Sequence, residues 1–273
     1  MTDSPGQSAV LAQQGPVALV GSGEYLDVMI DVDVGLLAGR NPRAVLLPTA
    51  AAEEGGETVQ HWLDLGTRHF ARLGVEPVPL RVLTPDDANC RDLAASVAGA
   101  GLIYLSGGNP GYLASVLRDS VVWSAIVTAW QAGAALAGCS AGACALSYVA
   151  DDVRAMPMRG ATAEPRISHS LLSRPSGLAA IPEVAVIPHF DRMQRWSPGL
   201  AGRYIDRTPA EVTVVGIDED TAIVTAPGVP GDQAGTRRRF TVAGRQSAWI
   251  LDRDGSRAEY PAGSTFCVPA RSR

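Results

Sequence analysis

Residues 138–142 read Gly-Cys-Ser-Ala-Gly, and they follow a short apolar stretch, 133–137, that ends like a buried strand. The residues after them, 143–146, are small and compatible with a helix. A Gly-x-Ser-x-Gly sequence between a strand and a helix is the pattern of a nucleophile elbow, a sharp turn that presents a serine hydroxyl at the edge of a sheet. Glycines flank the serine because Cβ atoms there would meet the neighbouring strand or helix. A plain turn in an alanine-rich chain would give the same letters, so the rest of the sequence must decide whether Ser140 is a nucleophile.

Short apolar runs alternate with helical patterns on both sides of this turn. Strands that alternate with helices at this spacing predict an α/β fold, a mainly parallel sheet with helices on both faces. Beyond an irregular stretch at 150–180, the chain alternates apolar and polar residues more strongly, which predicts antiparallel strands near the C-terminus. The predicted strands lie at 17–20, 44–47, 75–83, 102–105, 133–137, 184–187, 212–217, 222–224, 240–242, 248–251 and 265–268.

The sequence predicts one folded domain. Residues 1–15 are rich in Ser, Gln and Ala and are expected to form a flexible tail. Residues 16–273 are expected to form a single α/β hydrolytic domain with a C-terminal β extension from about residue 222. This length is sufficient for a sizeable core, and no repeat or linker divides it.

Composition excludes several classes of protein. The 273 residues carry a net charge of −5, which argues against a nucleic-acid partner, and no run is long enough to span a membrane. All basic side chains are arginines, so Schiff-base, Ser-Lys and Walker-type phosphate-binding mechanisms are excluded. The 4 cysteines lack metal-ligand spacing, and we expect reduced thiols in a cytoplasmic protein. No metal or organic cofactor is implied.

Chemically useful residues follow several of the predicted strands. Open α/β sheets bind ligands at the carboxyl ends of their strands, where this chain has 21–24 (Gly-Ser-Gly-Glu), 107–109 (Gly-Gly-Asn), Ser140 and His189. A serine needs a base within hydrogen-bond reach, and His189 follows a strand that would hold it rigidly. We therefore predict that Ser140 and His189 act together.

The remaining parts of such a site have several candidates. The backbone N–H groups of Gly108 and Ala141 are expected to bind the oxyanion. The acid that orients His189 stays open at this point. The candidate carboxylates are those of Glu219, Asp191, Asp151 and Asp152.

Five ordered segments carry a resemblance to a known family. The segments are 47–50 (Leu-Pro-Thr-Ala), 106–109 (Ser-Gly-Gly-Asn), 137–143 (Ala-Gly-Cys-Ser-Ala-Gly-Ala), 188–190 (Pro-His-Phe) and 216–222 (Gly-Ile-Asp-Glu-Asp-Thr-Ala). Across roughly residues 16–226 the chain resembles the S51 serine-peptidase family, which comprises cyanophycinases and aspartyl dipeptidase E. That resemblance implies a three-layer flavodoxin-like fold of the class I glutamine amidotransferase type.

The resemblance also implies a function. It implies a serine hydrolase that cleaves a small, aspartyl or isoaspartyl, peptide or amide, and it ranks Glu219 first as the acid, while the dipeptidase branch keeps Asp151 and Asp152 open. Asn109, Arg192 and Arg195 are the candidate substrate-binding residues. Where cyanophycinases have Asp-Gln before the histidine, this chain has Ile-Pro at 187–188.

The sequence does not decide between the serine hydrolase and two other functions, and it does not determine the assembly. The alternatives are an amidotransferase-like thiol enzyme that uses Cys139, and a ligand-binding member of the fold without catalysis. A homodimer is the assembly that we keep as an open expectation.

Overall fold

Twelve strands form two sheets in the computed structural model, which describes residues 14–151, 175–196, 199–226 and 237–270. Their bounds are β1 Val17–Val20, β2 Arg43–Leu47, β3 Glu76–Pro79, β4 Leu102–Leu105, β5 Ala135–Cys139, β6 Val184–Ile187, β7 Thr213–Ile217, β8 Thr221–Thr225, β9 Arg237–Gly244, β10 Ser247–Leu251, β11 Arg257–Pro261 and β12 Thr265–Pro269.

The helices lie between these strands. They are α1 Ile30–Leu37, α2 Gly56–Arg72, α3 Pro85–Ala88, α4 Arg91–Ala95, α5 Pro110–Leu117, α6 Val121–Gln131, α7 Ala141–Leu146, α8 Phe190–Trp196 and α9 Leu200–Arg207, with 3₁₀ turns at Asp27–Met29 and Thr49–Glu54. Within the described ranges, no helix is both long enough and apolar enough to cross a membrane.

The larger sheet has eight strands in the order β12-β9-β8-β1-β5-β4-β2-β3. The five strands from β1 to β3 in this order run parallel, and β8, β9 and β12 are added beyond β1, each antiparallel to its neighbour. The parallel strands β1, β4 and β5 are buried along their whole length, as expected for strands covered on both faces. One face packs on α1 and α2, and the other packs on α5, α6 and α7. The predicted α/β sheet with helices on both faces and antiparallel C-terminal strands is confirmed.

The smaller sheet is a feature that the sequence did not predict. It has four strands in the order β11-β10-β7-β6, and β6 and β7 run parallel. The apolar runs of β6 and β7 were predicted as strands, but a short buried run carries no information on which sheet it joins. One face of this sheet packs towards α7, and α8 and α9 cover the other.

Some predicted boundaries differ from the structure. The third strand, predicted at 75–83, covers only Glu76–Pro79. It contains Pro77 and Pro79, which lack a backbone N–H, and it lies at the sheet edge where such a strand is tolerated. Most of the predicted tail lies outside the described residues, and Gly15 at its end exchanges hydrogen bonds with Trp130. Residues 152–174 of the irregular stretch are likewise outside them.

Candidate active site

Ser140 lies on a strained turn between β5 and α7. Its backbone has φ 51° and ψ −108°, and its N–H donates to the carbonyl of Val20 at 2.9 Å. A Cβ at Gly138 would lie 2.4 Å from the carbonyl oxygen of Gly142, and one at Gly142 would lie 2.2 Å from that of Leu105. No side chain fits at either position: Gly142 lets the turn lie against the end of β4, and Gly138 lets the start of α7 lie close to β5.

His189 directly follows Pro188 at the end of β6, in the smaller sheet. It also has a positive φ, 49°, and its N–H donates to the carbonyl of Gly21 at 3.3 Å. The ring nitrogen Nε2 lies 2.9 Å from Ser140 Oγ, and Nδ1 lies 2.8 Å from Glu219 Oε1. The structure therefore joins the hydroxyl, the imidazole and the carboxylate in one hydrogen-bonded chain.

Glu219 lies in the loop between β7 and β8, and its neighbours hold it in several places. Its N–H donates to Asp191 Oδ1 at 3.0 Å, and its carbonyl accepts from Gln246 Nε2 at 2.8 Å and from Thr221 Oγ1 at 3.0 Å. Its second carboxylate oxygen, Oε2, accepts from Arg192 Nε at 2.7 Å. These contacts fix both the loop and the direction of the carboxylate.

This arrangement can move a proton. An imidazole that donates its Nδ1–H to a carboxylate presents an unprotonated Nε2, which can take the hydroxyl proton from a serine. The carboxylate then stabilises the imidazolium that forms. The chemistry available is nucleophilic attack by Ser140 with His189 as base.

A cleft of about 460 Å³ opens over this hydrogen-bonded chain. Pockets of about 300–1,000 Å³ hold small organic molecules, so the cleft is large enough for a ligand of that size. Its lining combines apolar walls with several carboxylates. The lining residues are Glu24, Glu54, Trp62, Gly107, Gly108, Pro110, Ser140, Ala141, Cys144, Asp151, Pro188, His189, Arg192, Met193 and Glu219.

The two predicted oxyanion residues line the cleft beside Ser140. Gly108 has φ 139°, and a Cβ there would lie 2.2 Å from the carbonyl oxygen of Ala50. The loop is held at this point because the N–H of Asn109 donates to the same carbonyl at 2.7 Å. Ala141 follows the serine, as the elbow pattern requires.

The predicted substrate-binding residues differ in their positions. Arg192 lines the cleft. Asn109 and Arg195 do not belong to its described lining. The Asn109 side chain accepts from the N–H of Tyr112 at 3.1 Å, as the N-cap of α5, and donates to Glu53 at 2.8 Å. Arg195 is exposed on α8.

The other candidate acids do not contact the imidazole in the described structure. Asp191 binds the backbone of Glu219, as above. Asp151 lines the cleft and accepts from Ser176 Oγ at 3.3 Å. Asp152 lies outside the described residues. No group of three or more His, Cys, Asp or Glu side chains in the described ranges is placed to hold a metal ion.

Several cleft residues were given no role in the sequence-based prediction, among them Glu24, Trp62 and Met193. Glu24 stands in the strand-end turn at 21–24, and an acid at a strand end was the available signal. Trp62 lies on α2, and Met193 lies on α8, the helix that follows His189. Nothing in the pattern of either residue distinguishes a cleft wall from a core position.

Cys139 lies under the turn and does not belong to the described lining of the cleft. It is 0% exposed, and its Sγ donates to Glu24 Oε2 at 2.6 Å. Burial, together with the nearby Glu24 carboxylate, raises the pKa of the Cys139 thiol well above its usual value. Because the thiolate is the nucleophilic form, this geometry disfavours the thiol-enzyme alternative.

Comparisons with known proteins agree on one family. A family model described as Peptidase family S51 matches residues 17–228. Two cyanophycinases, from Trichormus variabilis and from Nostoc sp., are each 32% identical over 161 residues, which is 58% of this chain and 50% of the relative. The chain therefore spans about half the length of the curated relatives that it matches.

Solved structures give a closer match in length. The crystal structure of a peptidase from an acI-B1 Actinobacterium is 32% identical, with a TM-score of 0.78, and the match covers 94% of this chain and 98% of that one. A candidate peptidase E protein from Listeria monocytogenes EGD-e is 16% identical, with a TM-score of 0.54 over 79% of this chain and 95% of that one. The second likeness concerns the fold alone.

Proposed function

Because the chain belongs to peptidase family S51, we propose that it is a serine hydrolase that cleaves a small peptide or amide. Ser140 is the nucleophile, His189 the base and Glu219 the acid that orients the base. The observation that carries the proposal is the hydrogen-bonded chain, 2.9 Å from Ser140 Oγ to His189 Nε2 and 2.8 Å from His189 Nδ1 to Glu219 Oε1. The positive φ of Ser140 and the adjoining cleft add support.

The proposed reaction has two halves. In the first, Ser140 Oγ attacks the scissile carbonyl carbon while His189 Nε2 takes the hydroxyl proton, and the amides of Gly108 and Ala141 donate to the oxyanion. His189 then gives that proton to the leaving amine as the C–N bond breaks, which leaves an acyl ester on Ser140. In the second half, His189 takes a proton from water, the hydroxide attacks the ester, and the acid product leaves as Oγ regains its proton.

The substrate that we propose is an aspartyl or isoaspartyl dipeptide or a similar small amide. The cleft volume supports a ligand of this size. Arg192 is the one arginine in the described lining, and its guanidinium can pair with a substrate carboxylate while Nε binds Glu219. Cleavage of cyanophycin has less support, because Pro188 lines the cleft in place of the glutamine of cyanophycinases.

The two alternative functions, a thiol enzyme and a ligand-binding protein without catalysis, have less support. The thiol-enzyme hypothesis is disfavoured because Cys139 is buried. The hypothesis of a ligand-binding member without catalysis is disfavoured because such a protein would not need the 2.9 Å contact between Ser140 Oγ and His189 Nε2. A cytoplasmic location and a homodimer stay predictions.

Labelling with a fluorophosphonate, which phosphonylates activated serines, tests the proposal. We expect one adduct on the wild type and on Ser115→Ala, whose serine is exposed outside the cleft, and no adduct on Ser140→Ala. Hydrolysis of a panel of aspartyl and isoaspartyl dipeptides should fall by at least about 10³-fold in Ser140→Ala. A native protein that forms no adduct, or an undiminished adduct on Ser140→Ala, would refute the proposal.

A further inference from the structure

We propose that Glu24 is a positioning residue for the reaction: it ties the end of the nucleophile strand to the loop that presents the Gly108 amide. The inference rests on the proposed function. It concerns what sets the distance between the nucleophile and the oxyanion donors.

The two oxygens of Glu24 bind two different segments of the site. Oε1 accepts from the N–H of Gly107 at 2.9 Å, and Oε2 accepts from Cys139 Sγ at 2.6 Å. Gly107 immediately precedes Gly108, and Cys139 immediately precedes Ser140. Glu24 is only 7% exposed, so both contacts are shielded from water. A single carboxylate therefore spans the two backbone segments that flank the reacting carbonyl.

The Cys139 thiol can serve as a lasting donor in this link. Burial and the Glu24 carboxylate raise its pKa well above the usual value, so the proton stays on sulfur at neutral pH. A thiolate at this position would repel the carboxylate and open the link.

Tyr25 strengthens the same connection one residue further on. Its hydroxyl lies 3.0 Å from Ser106 Oγ, and its ring packs against Tyr104 with centroids 5.1 Å apart. Glu24 and Tyr25, which follow β1, thus bind Gly107 and Ser106, which follow β4. Tyr25 is buried and has φ 65°, a conformation that its contacts must maintain.

Gly107 lies close enough to Ser140 for this link to matter. A Cβ built at Gly107 would lie 3.1 Å from Glu24 Oε1 and 3.5 Å from Ser140 Cβ. Movement of this loop without its anchor therefore changes the separation of the Gly108 amide from Ser140 Oγ. Misplacement by about 1 Å can cost about 10²-fold in rate.

The test compares three Glu24 variants by kcat, KM and rate of fluorophosphonate labelling. Glu24→Ala removes both contacts, and we expect kcat and the labelling rate to fall by about 10²-fold, with KM changed less than about threefold. Glu24→Gln has the same length and keeps an oxygen for the Gly107 N–H, so it should restore most of kcat. Glu24→Asp keeps the charge but is too short to reach both segments, so its kcat should also be low. This variant provides the comparison with Glu24→Gln if Glu24→Ala does not fold.

The control is Glu57→Ala, an exposed glutamate outside the cleft lining, which should behave as the wild type. Thermal unfolding of each variant identifies those that are folded. Any of three results would overturn this inference alone. They are a higher kcat in Glu24→Asp than in Glu24→Gln, a higher KM at unchanged kcat in Glu24→Ala, and a wild-type kcat in Glu24→Ala. Absence of labelling on the wild type would overturn the proposed function and this inference with it.

Discussion

The Glu219 carboxylate divides its oxygens between a base and a cation. Oε1 binds His189 Nδ1, and Oε2 binds Arg192 Nε. Asp191 acts one step further away, because it binds the Glu219 N–H rather than the imidazole. In the proposed mechanism the two acids have different roles: Glu219 stabilises the imidazolium, and Asp191 holds the loop that carries Glu219.

Exchanging each acid for its amide separates these roles. Glu219→Gln should lower kcat by about 10⁴-fold, because an amide stabilises neither the required tautomer nor the imidazolium. Asp191→Asn should lower it by about tenfold at most, because the Asn oxygen still accepts from the Glu219 N–H. Steady-state hydrolysis of a dipeptide substrate measures both. If Asp191→Asn is the more damaged variant, Glu219 is not the acid.

Residues with a chemical requirement of their own were the most predictable parts of the site. Ser140 was predicted from the turn that it needs, and His189 from its place after a strand. The choice among carboxylates was not predictable from spacing, because it depends on which loop faces Nδ1. Asn109 illustrates a competing signal: an Asn directly before a proline is a favourable helix N-cap, and the structure uses its side chain that way.

Among the elements, apolar runs located most strands, but they did not identify strand partners. β1, β4 and β6 match their predicted positions. The sequence did not indicate, however, that β6 and β7 belong to a separate, smaller sheet. One link between the sheets is a buried ion pair. Arg238 on β9 donates two hydrogen bonds, both at 3.0 Å, to Glu183, which directly precedes β6. Such a pair depends on tertiary structure, and no local pattern predicts it.

Breaking this ion pair should destabilise the fold. Arg238→Met or Glu183→Leu alone leaves a buried charge without its partner, which costs about 3–5 kcal/mol in the free energy of unfolding. The double variant replaces both charges with apolar groups and should lose less than either single variant. Urea unfolding of the three proteins measures this. A double variant that loses the sum of the single losses would show that the pair is not coupled.

For the molecule as a whole, the site lies where the two sheets meet. Ser140 is at the end of β5 in the larger sheet, while His189 and Glu219 follow β6 and β7 of the smaller one. The sequence correctly predicted the α/β layers. It could not predict this division, because the apolar runs of β6 and β7 resemble those of the large sheet and do not reveal which sheet they join.

The accessibility of the four cysteine thiols to a reagent tests the overall fold. Cys139 and Cys144 are buried at 0% and 2% exposure, whereas Cys90 and Cys267 are partly exposed. We expect iodoacetamide to modify only the latter two in the native protein, even at mildly alkaline pH. Cys144 borders the cleft but is almost fully buried, and the buried Cys139 thiol has a raised pKa. Mass spectrometry should find four modified thiols after unfolding in urea. Native modification of Cys139 with loss of activity would contradict the buried placement and favour a thiol enzyme.

The central position of β1 has a consequence for synthesis of the chain. β1 pairs with β5 on one side and with β8, about two hundred residues later, on the other, as in the pairing of Ala18 with Val224. A ribosome releases the turn at Ser140 before the segments that carry His189 and Glu219, and β1 completes its pairing only once β8 has emerged. Until those segments emerge, the serine is an ordinary alcohol with no base beside it. In the proposed mechanism, hydrolysis therefore has to wait until most of the chain has left the ribosome, and a half-made molecule would not act on peptides.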